Sequence, residues 1–144
     1  MRLLVQAGAD PDRQDDGPNG WTPLLHAVHK NQPAAVGELI AAGADVNRAA
    51  PNGLTPLMLA ASQAEPEIFA ALLAAGADPH AAKPGGETVL THAVMGGEPR
   101  IVRALMERAP DLRLRNTTKD WGARAFAWVR GRSEVLDAIG GGER

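Results

Sequence analysis

The sequence predicts an all-α fold in which pairs of short antiparallel helices stack on one another and are joined by β-hairpin-like turns. Two repeated phrases support this prediction. Thr-Pro-Leu begins at Thr22 and Thr55 and returns as Thr-Val-Leu at Thr88, each step being 33 residues. Gly-Ala-Asp begins at Gly43 and again at Gly76, also 33 residues apart. A period of this length is typical of a fold assembled from copies of one small unit.

The first helix of each unit is recognised by its start. The hydroxyls of Thr22 and Thr55 can accept a hydrogen bond from an orphan N–H of the first turn, and the proline that follows has no N–H to leave unpaired. A proline follows each of Thr22, Thr55 and Thr88 by eleven residues. Because a helix tolerates proline only in its first turn, we expect a second helix to begin at each of these prolines. These prolines are Pro33, Pro66 and Pro99. We therefore expect the first helices to end near residues 30, 63 and 96.

The second helices of the first two full units are predicted to end at a glycine. Gly43 and Gly76 follow pairs of large apolar residues, the place where a left-handed residue commonly terminates a helix. The stretch after it, residues 45–53 for example, is rich in Asn, Pro and Gly and has to turn the chain back to the next Thr. An earlier Gly-Ala-Asp at Gly8 lies 35 residues before Gly43, so the first connection is two residues longer than the next.

A single helix pair cannot bury its own apolar face, so the columns of equivalent apolar residues predict stacking between units. Small alanines let neighbouring helices approach closely, and the larger side chains fill the space between units. The columns are Leu24, Ala27, Val28, Val36, Leu39 and Ile40; then Leu57, Ala60, Ala61, Phe69, Leu72 and Leu73; then Leu90, Ala93, Val94, Val102, Leu105 and Met106.

Composition restricts the function classes. The formal net charge of −2 argues against a dedicated nucleic-acid binder, although residues 98–132 carry nine Lys or Arg against four acidic residues. No apolar run approaches the length of a membrane span, so we expect no membrane association. The chain has no Cys, which fits a reducing compartment and a cytoplasmic location.

The Gly-x-Thr-Pro-Leu-x-x-Ala start, the 33-residue period and the Gly-Ala-Asp-Val-Asn end resemble ankyrin repeats over essentially the whole chain. The resemblance implies an ankyrin-repeat solenoid forming one domain over residues 1–144. In the last copy Gly122-Ala123-Arg124 replaces Thr-Pro-Leu, as suits a capping repeat. The repeats are predicted at residues 1–16 (partial), 17–49, 50–82, 83–115 and 116–140 (the degenerate cap).

The resemblance also implies where a partner binds. In ankyrin repeats the turn tips and exposed ends of the first helices line a concave groove for other proteins. The matching slots of this chain hold Asn19, Trp21, His29 and Lys30; Asn52, Leu54, Ser62 and Gln63; Gly85, Glu87, Met95 and Gly96; and Trp121, Val129 and Arg130. Trp and Arg commonly anchor protein interfaces, but Trp21 and Trp121 could instead cover the base of their hairpins.

The sequence contains few residues placed to act as metal ligands or catalytic groups. His26 and His29 are three residues apart on a predicted helix, a spacing that can bring two imidazoles to one metal, but no third ligand is near. Ser62 and Ser133 lie in different units, and no His and carboxylate are placed to activate either hydroxyl. We expect no enzymatic activity, no metal and no cofactor.

The sequence therefore predicts a non-enzymatic module that binds another protein through the groove. Two alternatives stay open: an inhibitor or immunity-type protein that blocks one enzyme, and a regulatory or architectural ankyrin segment of a larger chain. We expect a monomer, with self-association at the truncated first repeat as a further option. A nucleic-acid role through the arginines of residues 100–115 and Lys119 is a more remote alternative.

Overall fold

The computed structural model of the chain describes residues 10–109, and the fold class is as predicted. Those residues form six α-helices: α1 (Pro23–His29), α2 (Pro33–Ala41), α3 (Pro56–Ser62), α4 (Pro66–Ala74), α5 (Val89–Gly96) and α6 (Pro99–Arg108). Each first helix packs on the second helix of its own unit. The first helices α1, α3 and α5 also pack in sequence as one layer, and α2, α4 and α6 pack in sequence as the other. The result is a two-layered linear stack.

The first helices begin at the predicted threonines. The Oγ1 atoms of Thr22, Thr55 and Thr88 each accept a hydrogen bond, at 3.2 Å, from the backbone N–H three residues on. In the third unit the Thr91 hydroxyl also accepts from the Thr88 N–H, which completes a reciprocal capping box. The second helices begin at Pro33, Pro66 and Pro99, as the spacing predicted.

Two of the second helices, α2 and α4, end in the left-handed conformation that the glycines predicted. Gly43 has φ 93° and Gly76 has φ 97°. At Gly43 the N–H donates to the Ile40 carbonyl, and the next N–H, that of Ala44, donates to the Leu39 carbonyl, both at 3.0 Å. This pair of bonds is the Schellman motif, and it satisfies carbonyls that the helix end would leave orphaned.

A tight hairpin connects one unit to the next. In the second hairpin the Ala50 N–H donates to the Leu54 carbonyl at 2.9 Å, and the Gly53 N–H donates back to the Ala50 carbonyl at 2.8 Å. The third hairpin repeats this pattern between Lys83 and Glu87. The first is two residues longer between its closing pair, Asp15 and Trp21, and its Gly20 N–H donates to the Gly17 carbonyl. A Cβ on Gly53 would lie 2.7 Å from Cδ of Pro84 in the following hairpin, so successive tips pack with a glycine against a proline.

The predicted columns form the core. Every member is buried except Ile40, which is half-buried and packs against the core from its edge. Side chains of the other positions add to it, among them Leu25, Met58, Ile68 and Ile101, each 1% exposed or less. The core is therefore continuous from one unit to the next.

The side chains of Asp12 and Asn47 fasten one unit to the next by hydrogen bonds. Asp12 Oδ1 accepts from the Asp45 N–H at 2.7 Å, and the equivalent Asn47 Oδ1 accepts from the Asp78 N–H at the same distance. Asn47 Nδ2 also donates to the Gly76 carbonyl at 3.3 Å. The fifth residue of the Gly-Ala-Asp phrases at Gly8 and Gly43 thus bridges to the next unit.

Within residues 10–109, no helix has the length and apolar character that crossing a bilayer requires. The degenerate cap and most of the partial first repeat lie outside these residues, so the division of the chain into five repeats stays a prediction.

Candidate partner-binding groove

The groove slots of the three full units lie on the hairpin tips and on the first helices α1, α3 and α5, so the same backbone features position them in each unit. Ten predicted site residues fall in the described part of the chain: Asn19, Trp21, His29, Lys30, Asn52, Leu54, Ser62, Gln63, Glu87 and Met95. The other two, Trp121 and Arg130, lie outside the described residues. The ten residues differ in their exposure and in the contacts that they make within the protein.

Trp21 is half-buried against the core at the start of α1. Its ring meets His26 and His29 edge-on, with ring centroids 5.3 Å and 5.2 Å away. Part of the indole therefore packs against α1 and the core, while His29 and Lys30 are exposed at the other end of the helix. Asn19 is exposed on the hairpin tip.

Asp15 holds the first hairpin and Trp21 in place. One carboxylate oxygen accepts from the Gly17 and Trp21 N–H groups at 3.1 Å and 3.2 Å, and the other pairs with His26 Nε2. The hydrogen bond from His26, helped by the two backbone bonds, lowers the pKa of Asp15 below its ordinary value. Sequence reasoning missed Asp15; the signal that pointed to it was the two extra residues of this first connection.

The residues in the slots of the second unit make contacts within the stack. Leu54 is half-buried against the core, and the Leu54 N–H donates to Asn52 Oδ1 at 3.0 Å. Ser62 Oγ donates to the Leu59 carbonyl at 2.9 Å. Gln63 Nε2 donates to the His29 carbonyl of the preceding unit at 3.0 Å and lies 3.4 Å from Glu65 Oε1. Burial raises the pKa of Glu65.

In the third unit, the slot equivalent to Trp21 holds Glu87, which has charged or ionisable side chains beside it. Glu87 Oε2 lies 2.9 Å from Lys83 Nζ and 3.4 Å from Nε2 of the buried His92. The hydrogen bond from Lys83 lowers the pKa of Glu87. Burial lowers the pKa of His92, and the nearby Glu87 carboxylate only partly opposes that effect. Lys83 was also missed, since nothing in its spacing marked it.

Met95 is the large apolar side chain that the described residues leave at the surface, with 48% of it exposed. The next slot holds Gly96, whose backbone packs so closely on the preceding unit that a Cβ would collide with the Ala61 carbonyl oxygen. Gly85, on the hairpin tip of this unit, likewise has no side chain. The third unit therefore presents Met95 beside a slot, that of Gly96, which has no side chain.

An open cleft of about 310 Å³ lies outside the groove slots. It lies at the turns between first and second helices and is lined by Asn31, Glu65, Glu67 and Arg100 among others. No group of three or more His, Cys, Asp or Glu side chains within residues 10–109 converges to hold a metal ion. His26 is instead paired with Asp15.

Comparison with known proteins identifies the unit. A family model for ankyrin repeats (three copies) matches residues 1–83. No curated protein shows significant similarity to the chain. The match ends before α5, yet α5 and α6 repeat the caps, proline starts and layer packing of the preceding helices. Ankyrin repeats are generally protein–protein interaction modules and are typically non-enzymatic. The chain belongs to the ankyrin-repeat family.

Proposed function

We propose that this chain is a non-enzymatic module that binds another protein through the concave groove formed by its hairpin tips and first helices. The observation that carries the proposal is the exposure of Met95 in a groove slot. Covering an exposed large apolar side chain lowers the free energy of a complex, so such a side chain favours contact with a partner. At the other end of the described groove, Trp21 keeps part of its indole at the surface beside the exposed His29 and Lys30.

The slots of the second unit, between these two ends, also support the proposal. Its slots are tied down by bonds within the stack, so they form a fixed floor between the two ends. A rigid floor with accessible side chains at both ends lets a partner bind without ordering the groove, which reduces the entropic cost of association.

Affinity capture from the source cell tests the proposal. The bait is the full chain, and the matched baits are Met95→Glu in the groove and Arg103→Glu on the exposed outer face of α6. Because a buried unpaired carboxylate opposes binding, Met95→Glu should lose the proteins that the unaltered chain and Arg103→Glu both retain. Quantitative mass spectrometry measures this difference. Equal retention by all three baits would contradict binding through the groove.

A further inference from the structure

The carboxylates that contact groove residues already have partners. Asp15, which accepts from the Trp21 N–H, pairs with His26, and Glu65 lies beside the amide of Gln63. Glu87 pairs with Lys83. Each acidic group is thus partly neutralised or hydrogen-bonded within the stack. These three carboxylates are engaged within the stack, and none of them pairs with Lys30.

Lys30 is different. It is exposed at the C-terminal end of α1, and no carboxylate of residues 10–109 lies within ion-pair distance of its ammonium group. The exposed His29 is its neighbour. The first-unit end of the groove therefore offers an uncompensated positive charge. A carboxylate complements that charge.

The third-unit end offers apolar surface instead. The slot equivalent to Lys30 is occupied by Gly96, and Met95 stands in the slot equivalent to His29. Since Gly96 has no side chain, a partner's bulky side chain can approach Met95 without meeting a charged group in the adjoining slot. Methionine adapts its shape to such a contact. The two ends of the groove thus favour different chemistry.

We propose, building on the proposed function, that the partner segment carries a carboxylate that meets Lys30 and a bulky apolar side chain that packs on Met95. The two slots are two units apart, roughly 20 Å at about 10 Å per packed helix layer. An extended segment covers that distance with about six residues and a helix with about 13. The two unlike ends fix the direction in which the segment lies along the stack.

The probe for this inference is a phage-displayed library of random peptides, each about 16 residues long and so able to span the groove in either conformation. It is selected on the full, folded chain. Each selected peptide is then synthesised and titrated against the unaltered chain, Lys30→Glu, Met95→Ala, Trp21→Ala and the outer-face control Arg103→Glu. Circular dichroism melts verify that every variant is folded.

The expected peptides carry Asp or Glu on one side of a bulky apolar residue, with the spacing given above. Their affinity should fall roughly tenfold or more in Lys30→Glu, roughly fivefold or more in Met95→Ala, and stay unchanged in Arg103→Glu. Added salt should weaken binding to the unaltered chain but not to Lys30→Glu. Peptides that depend on Trp21 but on neither Lys30 nor Met95 would overturn this inference and leave the groove function standing. Peptides that depend on none of the three would contradict both.

Discussion

At the scale of single residues, packing between units restricts which residue type some positions accept and leaves other positions unrestricted. Gly96 illustrates the first kind, because its Cα approaches the Ala61 carbonyl too closely for any side chain. The family resemblance places Gly96 in a groove slot at the end of a first helix, and nothing in the sequence signals this contact. The close approach depends on the distance between α3 and α5, which no local pattern encodes.

Gly96→Ala should lower the free energy of unfolding by about 2–3 kcal/mol, because the added methyl group forces α5 away from α3. Gly37→Ala is the matched control. Gly37 is exposed within α2, and a Cβ there meets nothing within 4 Å, so better helix propensity should raise stability by about 0.5–1 kcal/mol. Urea unfolding measures both changes. Equal effects of the two substitutions would contradict the close packing of α5 on α3.

The buried His92 predicts a pH dependence of stability. Burial holds the pKa of His92 below its ordinary value of 6.5, so between the two pKa values the folded chain binds fewer protons than the unfolded chain. This contribution is therefore fully present above about pH 6.5 and is lost as the pH falls through the lower folded pKa. His92→Leu copies the equivalent Leu59 and should flatten the stability change between about pH 7.5 and pH 5.5. Urea unfolding at the two pH values tests it, and an unchanged slope would rule out His92 as the source.

At the scale of elements, the sequence predicted most of the fold. Thr caps, proline starts and glycine stops act through the backbone nearest to them, so the starts and ends of the helices could be derived from local chemistry. The groove was harder. Its slots came from the family resemblance, and spacing alone could not show that Gln63 is tied to the His29 carbonyl while Met95 is exposed.

One residue between helices departs from the local rules. Ala64 follows α3 with φ 59°, where the equivalent positions hold Asn31 and Gly97. A left-handed conformation costs an alanine about 1–2 kcal/mol, and glycine recovers most of this despite its greater freedom when unfolded. Ala64→Gly should therefore raise the free energy of unfolding by about 0.5–1 kcal/mol.

The matched control for Ala64→Gly is Ala71→Gly at an exposed position within α4, which should cost about 1 kcal/mol. Thermal and urea unfolding of both variants measure the difference in sign. A loss of stability at Ala64 as well would show that its backbone conformation carries no strain.

At the scale of the whole molecule, stability is the sum of the units and the interfaces between them. The buried columns supply most of each interface, and hydrogen bonds such as those of Asn47 add directional contacts across it. The same stacking sets the spacing of the groove slots, so the stability of the stack and the geometry of the proposed binding surface depend on the same interfaces.

Asn47→Ala should lower the free energy of unfolding by about 1–2 kcal/mol, because it leaves the Asp78 N–H and the Gly76 carbonyl without their side-chain partner. Gln32→Ala is the control, since the Gln32 side chain makes no capping bond and its loss should change stability by less than about 0.5 kcal/mol. Chemical unfolding followed by circular dichroism measures both. An Asn47 variant as stable as the control would show that this bridge contributes nothing to stacking.

Binding of a protein in the groove is tested most directly by a calorimetric titration of the captured partner into Trp21→Ala, alongside thermal melts of the same protein. If Trp21 anchors the partner, affinity should fall by about 2 kcal/mol, roughly 30-fold, in protein that remains helical. Lys30→Ala should weaken association through charge and leave the melting temperature unchanged. A Trp21→Ala variant that melts early yet binds the partner normally while folded would contradict the claim for Trp21.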